Sequence, residues 1–194
     1  GVVEHRDTLG NRGRIGAGES QWMTAGSGIL HEEMPQPSPR LRGLQLWLNL
    51  PAREKMAEPA YFSITPEQIP VVSDERATVR VLSGTYGGRR GVTPRHIQAA
   101  LMDVTVHPGQ RISLPTDPGH TVFCYTIEGE ALLGGRRVSE KAAALLAGEG
   151  PLEAEAPRES SARFFFCSAA PLREPIAWGG PIVMNTQEEL QLAF

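Results

Sequence analysis

Gln21-Trp-Met-Thr-Ala-Gly-Ser-Gly-Ile-Leu-His-Glu-Glu-Met-Pro35 gathers candidate metal ligands, a glycine-rich bend and large apolar anchors within fifteen residues. Its chemical centre is His31-x-Glu33. Side chains on a β-strand alternate between faces, so an imidazole at 31 and a carboxylate at 33 point the same way, into a barrel if the strand belongs to one. Glu32, between them, is then expected to face water. Gly26 and Gly28 let the backbone bend ahead of this strand, and Pro35, Pro37 and Pro39 end it.

Outward from that stretch, Leu44-Gln-Leu-Trp-Leu-Asn-Leu50 alternates with period two and is expected to be a strand, with four leucines on one face and Gln45, Trp47 and Asn49 on the other. If it lies beside residues 30–34, Gln45 becomes a candidate hydrogen-bond partner for a ligand there; the plainer reading is a polar residue on the less buried face. Towards the N-terminus, residues 2–5 read as a short strand and Asp7-Thr-Leu-Gly-Asn-Arg-Gly13 as a turn, which predicts a hairpin. Residues 16–20 form a second tight bend, followed by Trp22 and Met23 as apolar anchors. The 51–70 stretch has no clean period and carries four prolines, the signature of a linker. Beyond it, apolar runs at 79–82, 98–106, 120–127, 131–133, 142–146, 152–156 and 163–167 predict short strands separated by Gly- or Pro-bearing turns. Thr186-x-x-Glu189 has the pattern of a capping box, so a helix is expected over 187–194.

The fold class expected is therefore all-β, with a short C-terminal helix. Residues 1–50 are assigned to a partial N-terminal barrel, 51–70 to the linker, and 71–194 to a C-terminal barrel and tail. A length of 194 residues with 40% hydrophobic content suffices for a substantial core, and 21 Gly with 16 Pro fit a chain of many turns. A net charge of −3 leaves no broad basic surface, which argues against direct nucleic-acid binding. No membrane-length apolar run and no leader segment is evident, so a cytoplasmic location and no membrane partner are expected. Cys124 and Cys167 sit in apolar runs without a Cys-x-x-Cys spacing and read as buried thiols.

Two short landmarks recur about 130 residues apart, Gly1-Val-Val-Glu with Gly129-Glu-Ala-Leu and Ala17-Gly-Glu19 with Ala147-Gly-Glu149, which suggests a duplicated β unit. In the second copy an apolar strand precedes Gly129, whereas nothing in these residues precedes Gly1. The first barrel is thus expected to lack a strand and to expose an edge that favours self-association or cover by another chain.

Along nearly its full length the chain resembles the pirin family of double-cupin proteins. The resemblance is carried by Glu4-His-Arg-Asp-Thr-Leu-Gly-Asn-Arg-Gly13, the 21–35 stretch, the 44–50 run, Glu54-Lys-Met-Ala-Glu-Pro59, Pro171-Leu-Arg-Glu-Pro175 and Gly180-Pro-Ile-Val-Met-Asn-Thr186. It implies two cupin-type β-barrels, with a mononuclear iron (Fe2+/Fe3+) held in the first by three His and one Glu. By motif, His31 and Glu33 correspond to the last two ligands. The first two belong to a His-x-His on a strand preceding the position of Gly1, and no His-x-His occurs in these residues. His120 stands near where a second ligand strand would begin, but without companions; it reads as a polar turn residue and the second barrel as metal-free.

Imidazole and carboxylate ligation with open positions suits non-haem iron that binds a small phenolic substrate and dioxygen. The resemblance implies flavonol (quercetin) 2,3-dioxygenation in the intact family site, with Glu33 as both ligand and base. It also admits an iron- or redox-responsive regulator that binds a protein partner, and a metal-free form with no activity of its own. With only His31 and Glu33 present, the 194 residues are expected to hold iron poorly and to be inactive.

Overall fold

Short apolar runs closed off by Gly and Pro become strands throughout the computed structural model, which describes residues 1–147 and 150–194. Two of the three residues of the landmark at 147–149 lie outside the described residues. The chain divides into two compact units, Gly1–Pro66 with Leu172–Phe194, and Glu67–Pro171.

In the first unit, β1 (Val3–Asp7) and β2 (Arg12–Ile15) form the expected hairpin, with His5 opposite Gly13. Its turn is built by Asp7, whose Oδ1 accepts from the backbone N–H groups of Leu9 and Asn11 at 2.8 and 3.0 Å, while Gly10 takes φ +84°. β3 (Ser20–Thr24) follows, then β4 (His31–Pro35), which pairs with the other edge of β1. β5 (Ala60–Ile64) pairs with β3 and stacks Phe62 on Trp22 at 6.5 Å between ring centroids. This strand lies inside the stretch expected to be a linker; Tyr61, Phe62 and Ile64 give it the side chains a pleated surface takes, and the prolines flank it.

The 44–50 run departs from expectation. Its alternation is that of a strand, yet it joins no ladder among the described residues. Period two creates a face, but a strand exists only when its backbone groups find a partner.

The second unit contains β6 (Val71–Ser73), β7 (Ala77–Ser83), β8 (Thr85–Tyr86), β9 (Arg89–Arg90), β10 (Ala99–Val106), β11 (Arg111–Leu114), β12 (Thr121–Glu128), β13 (Ala131–Leu133), β14 (Arg136–Val138), β15 (Ala143–Leu146), β16 (Leu152–Glu155) and β17 (Ala162–Ala169). A six-stranded sheet, β15-β12-β17-β10-β7-β6, and a four-stranded sheet, β11-β16-β13-β14, enclose one apolar core. Val79, Val81, Val104, Val106, Leu114, Leu133, Phe164 and Phe166 fill it and are no more than 1% exposed. Cys124 and Cys167 are free and buried; loss of solvation pushes their thiols up to about 12 and about 11, so neither is a ready thiolate.

The chain closes with β18 (Ala177–Gly179), β19 (Ile182–Met184) and α1 (Gln187–Leu192). The capping box forms as expected: the Glu189 N–H donates to Thr186 Oγ1 at 3.1 Å and the Thr186 N–H to the Glu189 carboxylate at 3.0 Å. These elements were assigned by sequence to the second barrel but group with the first unit, where Glu174 accepts from the Ala52 N–H at 2.7 Å. Among the described residues no helix is long and apolar enough to cross a membrane.

Candidate functional site

β4 carries the two residues singled out from sequence. Its register places His31 opposite Asp7 and Glu33 opposite His5 on β1, and directly opposed residues share a sheet face. His31 Nδ1 stands 3.7 Å from Glu33 Oε1, and both side chains are about one-third exposed, at 34% and 39%. Gln45 reaches in from the unpaired run, its Nε2 at 3.3 Å from each Glu33 carboxylate oxygen. Glu32, expected simply to face water, is half-buried on the opposite face and accepts from Arg6 Nη2 and Nε at 2.6 and 2.9 Å.

The bend before β4 explains the glycines. Gly26 takes φ +51°, and a side chain there would collide with the Ala57 carbonyl oxygen, which accepts from the Ser27 N–H at 2.8 Å. The Thr8 N–H then donates to the Leu30 carbonyl at 2.9 Å and locks the start of β4 beside β1.

The same face holds residues that sequence reasoning did not assign to the site. His5 is only 8% exposed, lies edge-on to Tyr61 with ring centroids 5.6 Å apart, and has Nε2 2.9 Å from the Gln21 amide nitrogen. The Gln21 amide nitrogen is the donor in that contact, so Nε2 accepts. Gly13 makes room for the ring, since a Cβ there would meet Nε2 at 2.5 Å. Burial, and then the neighbouring Asp7 carboxylate, push the Tyr61 hydroxyl above its ordinary range. His5 and Asp7 alternate with period two, a visible signal; what could not be read was the register that sets them across from Glu33 and His31.

The donor chemistry suits a hard or borderline cation, and a 3.7 Å separation fits two donors that each reach about 2.1 Å to one ion. The number of donors does not fit a four-ligand iron centre. Among the described residues no third His, Cys, Asp or Glu joins the pair in a group able to hold a metal. In the second unit His120 is held in place by Ser168 Oγ at 3.1 Å from its Nδ1 and by Asp117 at 3.8 Å from its Nε2.

Strands wrapped around a common core in the second unit, and a His–Glu pair on one strand of the first, define a protein of the double-cupin class. The family descriptions agree with this: "Pirin" matches residues 1–48 and "Pirin C-terminal cupin domain" residues 101–194. A Thermoplasma acidophilum protein described as a candidate quercetin 2,3-dioxygenase is 40% identical, over all of this chain and 82% of its own length. Human pirin is 38% identical, over all of this chain and 68% of its own. A crystal structure of quercetin 2,3-dioxygenase from Acinetobacter baumannii superposes with a TM-score of 0.90 at 32% identity, covering all of this chain and 69% of that one. The chain belongs to the pirin family.

Proposed function

We propose that this chain is a pirin-type metalloprotein subunit in which His31 and Glu33 are two ligands of a mononuclear iron site. In the intact family site, with further ligands completing the metal centre, Glu33 would also serve as the base that takes the hydroxyl proton of a flavonol such as quercetin. The observation that supports this reading is the meeting of imidazole and carboxylate at 3.7 Å on one strand face. Gln45 donates to that carboxylate and orients it. The relatives named for quercetin 2,3-dioxygenation suggest the substrate class.

A two-donor site binds iron weakly, so the 194 residues alone take up iron poorly and leave quercetin unchanged. Metal analysis after anaerobic loading with Fe2+, and the flavonol absorbance followed under oxygen, test this; stoichiometric iron or clear bleaching would overturn it. Joining a family segment that carries His-x-His to the N-terminus restores iron uptake, and His31→Ala or Glu33→Ala removes it again. Uptake unchanged in both variants takes the two residues out of the site.

A further inference from the structure

Between the core side chains Val79, Val104 and Phe164 of β7, β10 and β17 stand Thr78 and Arg80, Asp103 and Thr105, and Arg163, which strand alternation turns to the outer face of the sheet. With Ser161 and Glu128 they line a cavity of about 340 Å³. All of these residues belong to the second unit, and β12, β17, β10 and β7 each have a paired neighbour on both sides, so the cavity owes nothing to an open sheet edge. We propose that it binds a small polar α-amino acid, with the carboxylate on Arg163 and Arg80 and the ammonium facing Glu128.

Register sets Thr78, Thr105, Arg163 and Glu128 in one row across four strands, each opposite the next. Asp103 organises the cations beside that row. Its carboxylate, 11% exposed, accepts from Arg163 Nε at 2.9 Å and Nη2 at 2.8 Å, a bidentate pair, and from Arg80 Nη1 at a longer 3.4 Å. Arg163 is therefore fixed by one edge of its guanidinium while its side chain stays 35% exposed. The nearest carboxylate oxygen to its Nη1 is that of Glu128 at 3.9 Å, beyond hydrogen-bond length, so this nitrogen can donate to an oxyanion. A guanidinium already held in place loses little freedom on taking a ligand.

The charges choose the ligand. Two arginines and two carboxylates sum to zero, but Asp103 is enclosed among the cations, whereas Glu128 stands apart and is 43% exposed. A phosphate or a dicarboxylate meets Glu128 as a like charge, and a plain amine meets the guanidiniums as one. A zwitterion engages both poles, and an α-amino acid carries its two charges a few ångströms apart, matching neighbours in the Arg163–Glu128 row. The hydroxyls of Thr105 and Ser161 are donors for the carboxylate's second oxygen. None of the side chains lining the cavity is apolar, so the amino acid's own side chain is small or polar.

Titration calorimetry and ligand-observed NMR on the whole 194-residue chain, with L-serine as the probe, test this. L-Serine binds saturably with a dissociation constant of about 1 mM or below, and L-lactate, which lacks the ammonium, and ethanolamine, which lacks the carboxylate, bind about tenfold more weakly or worse. Glu128→Gln keeps the side chain's shape at a partly exposed position and leaves the circular dichroism spectrum unchanged; it weakens L-serine about tenfold and does not weaken L-lactate. Thr105→Val weakens both, and His31→Ala binds L-serine as the wild type does. Absence of saturation by L-serine up to about 10 mM, equal binding of L-lactate or ethanolamine, or indifference of L-serine to Glu128→Gln overturns the proposal.

Discussion

The two units solve opposite problems. In the second, the inward faces of two sheets carry only apolar or small side chains, and Val104, Val106, Ala154 and Phe164 are fully enclosed. In the first, the corresponding β1–β4 face offers His5, Asp7, His31 and Glu33, and among the described residues the buried apolar members of that unit are Ile64, Ala177 and Leu190. Burial of apolar surface stabilises by about 25 cal/mol per Å², whereas polar groups contribute little net and cost free energy when left unmet. The second unit therefore has the larger apolar core, and the first presents an imidazole and a carboxylate on a partly exposed face.

That contrast breaks most easily in the core. Phe164→Ala removes a ring with no exposure and should cost the second unit about 3–5 kcal/mol, lowering its unfolding temperature by roughly 15–20 °C. Differential scanning calorimetry reads the loss. A shift of only one or two degrees would mean that the apolar core is not what holds this unit together.

A smaller effect is expected at Lys55, the buried cation of the first unit. Its Nζ donates to Asn49 Oδ1 at 2.5 Å and to the Leu50 carbonyl at 2.7 Å, with the ammonium 7% exposed as a residue. Burial lowers its pKa, partly countered by Glu174 and Glu189. Lys55→Ala leaves both acceptors unmet and should destabilise by about 2–3 kcal/mol, measurable by urea unfolding. It should also loosen the end of the 44–50 run, seen as faster amide exchange there. Equal stability would show that water replaces the ammonium at no cost, and that the first unit is open at this point too.

Sequence patterns conveyed the second unit well because its strands are buried on one face and satisfied by neighbours close in the same unit: the runs at 98–106, 120–127 and 163–167 became β10, β12 and β17 within a residue or two. They conveyed the first unit poorly where a partner decides the outcome. The cleanest alternation in the chain, at 44–50, forms no strand, while the proline-flanked 60–64 segment does because β3 is there to pair with it. The His31–Glu33 pair was legible from spacing alone, since a strand fixes i and i+2 on one face. His5, Gln21 and Tyr61 were not, because their meeting depends on how β1, β3 and β5 are brought together.

The finest comparison lies within that one face, between two histidines. His5 is enclosed, braced by Tyr61 and bonded to Gln21, so His5→Ala leaves a cavity and an unmet amide and should cost about 1–3 kcal/mol. His31 is one-third exposed and meets Glu33 at 3.7 Å, beyond hydrogen-bond length, so His31→Ala and Glu33→Gln should each change stability by less than about 0.5 kcal/mol. Small losses at both positions would agree with the proposal that the two side chains serve a ligand rather than the fold. If thermal unfolding instead shows His31→Ala to be as damaging as His5→Ala, the pair is a structural bridge of the β1–β4 sheet. The assignment of His31 and Glu33 as ligands would then lose the physical ground on which it stands.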